Sequence, residues 1–276
     1  LIKESQKRGW GILTLDPQPE DEVPTLLRNP AWISLIRPLL KLLELVPGYT
    51  EIDISPLFII FFSLFFGILI GDAGYGLVYL LLNFWLHRKF GRKIKDKSAF
   101  FLFYILSFCA IIWGLLTGTF FGQEWLLNLG CKPLVPALGN AAFIQAFCFF
   151  IGALHLSLAH GWRAVLKAPA LVALAEIGWL CIIWAVFFLA KNLILGDPFP
   201  GFGRWLIMAG LVLVLFFTNP QRNILKTVAE GLGTIALILV NNFTDVVSYI
   251  RLFAVGLAGV AIADAHPEVV PLVVDF

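Results

Sequence analysis

Apolar residues run along this chain in blocks rather than at alternating positions. Runs cover 56–86, 99–121, 141–161, 170–190, 204–218 and 228–263, separated by short polar or basic stretches. Most reach the roughly 20 residues that a helix needs to cross a bilayer, and 204–218 is the shortest. The 56–86 run is broken at its centre by Gly71-Asp72-Ala73-Gly74-Tyr75-Gly76. Before it, residues 31–46 read as a short amphipathic helix carrying Arg37 and Lys41, and Asp16–Glu22 as a loop.

Basic residues crowd the 87–97 loop, Arg163–Lys167 and Arg222–Lys226, whereas the 122–140 and 193–203 loops hold only Lys132. Lys and Arg mark cytoplasmic loops, so the sides alternate correctly from residue 98 onward. Both flanks of 56–86 are basic, which one span cannot satisfy but a hairpin can. The expectation is two short helices, 56–70 and 75–87, turning at Gly71–Asp72, where glycine tolerates the bend. A single tilted helix is the alternative. The fold class expected is an all-α polytopic bundle of about seven membrane helices, the last long and carrying Arg251.

Composition agrees: 59% of the 276 residues are hydrophobic and 14% charged, against about 25% charged in a soluble domain. The net charge of +2 sits in topology loops and gives no sign of nucleic-acid binding. Cys109, Cys131, Cys148 and Cys181 lack paired spacing, so neither a metal site nor a disulfide framework is indicated. The chain opens on Leu1 and closes on an apolar segment just beginning at 271–276, so a fragment truncated before a further helix is expected.

Arg251 is a lone cation within the last run, and such residues are costly in hydrocarbon, on the order of 3 kcal/mol. With Arg251 set to zero on a helical wheel, Thr244 falls at about 20°, Ser248 and Glu230 at about 60°, Asn241 at about 80°, Thr234 at about 100° and Asp245 at about 120°. Asn242 lies off this stripe. Hydroxyls, amides and carboxylates aligned on one face and ending at a cation resemble half of an aqueous pathway. Ordinary interhelical hydrogen bonding would use the same residue types.

Thr244-Asp245 and Ser248-Tyr249-Ile250-Arg251-Leu252-Phe253-Ala254-Val255-Gly256-Leu257-Ala258 strongly resemble the membrane domain of subunit I (subunit a) of V/A-type rotary ATPases. Tyr49–Asp53, Phe65-Phe66-Gly67, Gly71–Gly76, Trp113–Gly122 and Gly152-Ala153-Leu154-His155-Leu156 agree with that family in order. The resemblance implies a stator in the prokaryotic cell membrane, basic loops cytoplasmic. It would face a rotating ring of proteolipid c/K-type subunits and connect to peripheral stalks and to the subunits linked to the central stalk.

It also implies two offset half-channels for H⁺ or Na⁺ and an essential role for Arg251 against the ring carboxylates. A fixed cation favours the charged carboxylate and so expels its ion before it passes. On this pattern 1–55 is a remnant of the cytoplasmic N-terminal region and 56–276 is the channel domain. The family's second arginine and carboxylate on a final helix are missing here. Apolar Leu237 stands where eukaryotic members carry a glutamate, with Glu230 and Asp245 as substitutes.

Thr234, Asn241, Thr244 and Ser248 complete the inner half-channel candidates, and Glu124, His155 and Glu176 are those for the outer one. Each has a blander reading: Glu124 as a solvated loop residue, His155 and His160 as packing residues, and Glu176 as one member of an ion pair. Asp72 reads first as the cap of a turn made by Gly71, Gly74 and Gly76. No GxxxxGK[ST] is present, so ATP chemistry belongs to other chains and no cofactor is expected. Competing classes are a secondary transporter, for which paired broken helices are lacking, and a structural anchor.

Overall fold

The computed structural model describes residues 2–11, 13, 28–45, 53–122, 132–218, 239–259 and 261–262, all helix, turn or loop. Its α-helices are α1 (Ile2–Arg8), α2 (Arg37–Leu42), α3 (Ser55–Ile70), α4 (Ala73–Phe90), α5 (Ser98–Thr117), α6 (Ala141–Lys167), α7 (Ala173–Leu195) and α8 (Gly203–Phe217). A last helix, α9, has helical backbone at 239–248 and 250–259 with a turn at 249. Helices α5, α6 and α7 are each long and apolar enough to span a membrane, and α3 with α4 would make a fourth span. At 15 residues α8 is shorter than that. By length and composition the described residues thus give three or four candidate spans.

Helices α3 and α4 break after Ile70 and bend by 119°. Gly71 ends α3 at φ 67°, a left-handed conformation that glycine adopts without Cβ strain. Asp72 then caps α4, accepting the Tyr75 N–H at 2.9 Å. The stretch expected as one helix over 31–46 is a 3₁₀ turn, Ile33–Ile36, followed by α2. Pro38 stands in the first turn of α2, where its missing N–H does no harm, whereas inside one continuous helix it would break the ladder.

Helices α4 and α5 form an antiparallel pair through the basic loop. Asn83 Nδ2 donates to the Phe100 carbonyl at 2.9 Å, and His87 Nδ1 lies 3.2 Å from the Tyr104 hydroxyl. In that loop, hydrogen bonds from the Ser98 hydroxyl and amide hold the Asp96 carboxyl below its ordinary range. Asn140 caps α6 by accepting from the Ala142 and Phe143 amides.

Three apolar clusters hold the bundle. Phe149, Trp179, Ile183, Val214 and Val246 join α6, α7, α8 and α9. Phe61, Ile68, Trp113, Cys148 and Ile151 join α3, α5 and α6, and Tyr249 and Phe253 of α9 pack on them. Ile36, Leu40, Ile59 and Leu106 seat the 3₁₀ turn and α2 on α3 and α5. Outward faces stay apolar, as Leu77, Leu81, Trp85, Phe103 and Phe108 show. A soluble protein of this size would not leave so much contiguous apolar surface uncovered, and lipid is the solvent such a surface requires.

Candidate functional site around Arg251

Helix α9 has two opposed faces. Asn242, Val246 and Gly256 are buried, with Tyr249 and Phe253 half-buried between them, a spacing that follows one helical stripe. Asn241, Thr244, Asp245, Arg251 and Val255 are exposed and Ser248 is half-buried, on the other side. The polar stripe is therefore largely uncovered among the described residues. Asn242, the one inner polar residue off the stripe, is buried at 5% exposure, and its side-chain amide nitrogen lacks a partner among the described residues.

Arg251 donates from Nε to the Ser248 carbonyl at 3.3 Å. Among the described residues no carboxylate lies within ion-pair distance of it. It borders a cleft of about 650 Å³ whose walls include Phe65 and Leu69 of α3, His155 and Ala159 of α6, and Asp245 and Ser248 of α9. The structure thus brings Asp245, Ser248, His155 and Arg251 to one opening. An unpaired guanidinium beside hydroxyl and carboxylate groups can engage a carboxylate presented from outside with two parallel hydrogen bonds.

His155 approaches from α6, its Nδ1 2.6 Å from the Tyr249 hydroxyl and its ring stacked on Phe61 at 4.1 Å between centroids. Sequence reasoning missed Tyr249 as a polar partner, because 94 residues separate the pair.

Glu176 does not line this cleft. It is buried at 5% exposure at the start of α7, its carboxylate 2.7 Å from His160 Nδ1 and 2.5 Å from Lys167 Nζ. His160 and Lys167 are seven residues apart on α6, hence on one face. Asp72 is buried at 1% exposure; besides capping α4 it accepts the Gly122 amide at 2.9 Å. Around it a Cβ on Gly74 would come within 2.5 Å of the Phe121 ring, and one on Gly76 within 2.8 Å of the Ile111 nitrogen. Glu124, Glu230 and Thr234 lie outside the described residues.

No protein-family model matches the chain. Among curated proteins it is 37% identical over 276 residues to V-type ATP synthase subunit I of Borreliella burgdorferi, an alignment covering 93% of this chain. It is 37% identical to V-type ATP synthase subunit I 1 of Treponema pallidum, over 99% of the chain. The chain is a homologue of V/A-type ATP synthase subunit I.

An A-type ATP synthase subunit I from Methanothermobacter thermautotrophicus is 28% identical over 95% of the chain. The chain spans about half the length of the curated relatives it matches, 45% and 46% of the first two. For a subunit I homologue the arrangement at α9 is informative. Its apolar side packs into two helix clusters, while its charged side is exposed among the described residues.

Proposed function

We propose that this chain is the membrane stator of a V/A-type rotary ATPase in a prokaryotic cell membrane, conducting H⁺ or Na⁺ between half-channels and a rotating proteolipid ring. The observation that carries it is the exposed Arg251, without a carboxylate partner among the described residues, at the end of a polar stripe on a helix otherwise packed in apolar clusters. A charge so placed is stable in a bilayer only beside water or an opposite charge. A ring carboxylate passing along α9 supplies that charge. Arg251 stabilises the ionised carboxylate, so the bound ion is released on one side and another taken up on the other.

Asp245 and Ser248, with Asn241, Thr244, Glu230 and Thr234, line the inner path. His155 stands on the opposite wall of the cleft, and Glu124 is the acidic candidate for the outer path, whereas Glu176 is held by Lys167 and His160 toward the C-terminal end of α6. Helices α3 to α9 make up the seven-helix domain, with the loop at 91–97 cytoplasmic. ATP is bound and hydrolysed or made on other subunits, and the chain acts through the ring and the stalks.

The test is ATP-driven ion pumping by the complete complex in vesicles. Arg251→Ala should abolish pumping while the ring still co-purifies. Arg251→Lys should be at least about tenfold impaired, because an ammonium lacks the planar fork. Coupled pumping at the wild-type rate in Arg251→Ala rules the reading out.

A further inference from the structure

Tyr249 precedes Arg251 by two residues, about 200° around the helix, so the two side chains leave α9 on opposite sides. Both border the cleft, the arginine on its exposed side and the tyrosine where it packs into the bundle against the cluster of α3 and α6. There its ring rests on α6 so closely that a Cβ on Gly152 would come within 2.6 Å of it. Phe65 of α3 meets the same ring edge-on at 5.6 Å. Its hydroxyl ends 2.6 Å from His155 Nδ1. His155 in turn is wedged between Phe61, at 4.1 Å, and Phe65, at 5.8 Å between centroids.

The backbone of α9 is least regular at this point. Tyr249 N–H donates to the Val246 carbonyl and Leu252 N–H to the Tyr249 carbonyl, i to i−3 bonds that tighten the helix locally. Such a turn can rotate one half of a helix against the other. A rotation of roughly 20° moves a group ~6 Å from the helix axis by ~2 Å, enough to misplace a guanidinium that must meet a carboxylate.

We propose that the hydrogen bond between His155 and Tyr249 is a latch joining α6 to α9, and that it fixes the rotational setting of Arg251. With the imidazole proton on Nε2, the tyrosine hydroxyl donates to Nδ1. In this arrangement His155 and Tyr249 are positioning residues, and no proton needs to pass through either. The consequence for pumping rests on the function proposed above; the consequence for the geometry of α9 does not.

Tyr249→Phe and His155→Phe keep the ring volumes and remove the hydrogen bond. His155→Gln restores an acceptor, its side-chain oxygen, without a titratable ring. In the complete complex the two Phe variants should assemble normally yet pump about 5- to 10-fold less per ATP hydrolysed. The double variant should be no worse than either single one, since both remove the same bond. His155→Gln should return to within about twofold of wild type, the bond being remade. Spin labels at Val255→Cys and Leu158→Cys, without the native cysteines, should give a broadened distance distribution in both Phe variants and a wild-type one in His155→Gln.

Wild-type distances in both Phe variants would overturn the latch whatever the pumping shows. Pumping as low in His155→Gln as in His155→Phe, at wild-type distances, would overturn it in favour of an ion relay. If the distances shift as expected but Arg251→Ala pumps normally, the latch stands and the reading of Arg251 fails.

Discussion

Asp72 and Gly122, 50 residues apart in the chain, meet at 2.9 Å, the carboxylate Oδ2 of the first accepting the backbone N–H of the second. The other oxygen of the same carboxylate caps α4 at the Tyr75 N–H. Asp72→Ala strands both donors in a site 1% exposed and should destabilise the subunit by roughly 2–3 kcal/mol. Asp72→Asn keeps one acceptor oxygen and should cost about half as much. Thermal inactivation of the detergent-solubilised complex measures both.

Two helical glycines should respond in opposite directions to alanine. A Cβ at Gly114 would lie 2.0 Å from the Ala73 backbone nitrogen, so α5 and the start of α4 would be pushed apart. Gly114→Ala should cost roughly 1–3 kcal/mol and lower the Tm. Gly161 has open space around it, so Gly161→Ala should raise stability by about 0.5–1 kcal/mol through helix propensity. Equal effects at the two positions, read from paired melting curves, would contradict the close approach at Gly114.

At the end of the α6–α7 hairpin, Glu176 is held by Lys167 and His160. Removing one partner of a buried ion pair costs about 3–5 kcal/mol, but Lys167 is 43% exposed and water screens part of the loss. Lys167→Met should therefore destabilise by roughly 1–3 kcal/mol. The double variant Lys167→Met, Glu176→Gln should recover most of it, because no unpaired charge remains. Urea or thermal unfolding of the two variants supplies the comparison.

Ile94 is exposed in the basic loop between α4 and α5. Ile94→Cys should react with an impermeant maleimide only from the cytoplasmic face of sealed vesicles. Labelling from the outer face would mean that α3 and α4 together cross the bilayer once.

Much of this architecture could be read from the residues. The break at Gly71–Asp72 was visible because two basic flanks demanded a return and because glycine and aspartate suit a turn, and α3 and α4 part there. Helix α6 runs six residues past the apolar run that announced it, ending at Lys167, because hydrophobicity stops before helix propensity does. The polar stripe on α9 follows from 100° per residue, and its exposed side and the buried Asn242 agree with that spacing.

Partners across helices were not legible. Nothing local links His155 to Tyr249, or Asp72 to Gly122, since each contact depends on how distant helices dock. Glu176 showed that a partner was needed without showing which one.

The glycine contacts have a mechanical consequence. Added Cβ atoms at Gly67, Gly114 and Gly256 would come within 2.9 Å or less of the Cys109 carbonyl, the Ala73 nitrogen and the Ile68 carbonyl. Backbone therefore rests on backbone where α3 meets α5 and α9 and where α5 meets the start of α4. Side chains in a contact act as springs, since they can change rotamer under load; peptide planes in direct contact have almost no such give. On the proposed stator reading, a part that holds still while its neighbour turns gains from low compliance, and the joint at Gly256 puts such a contact in the helix that carries Arg251.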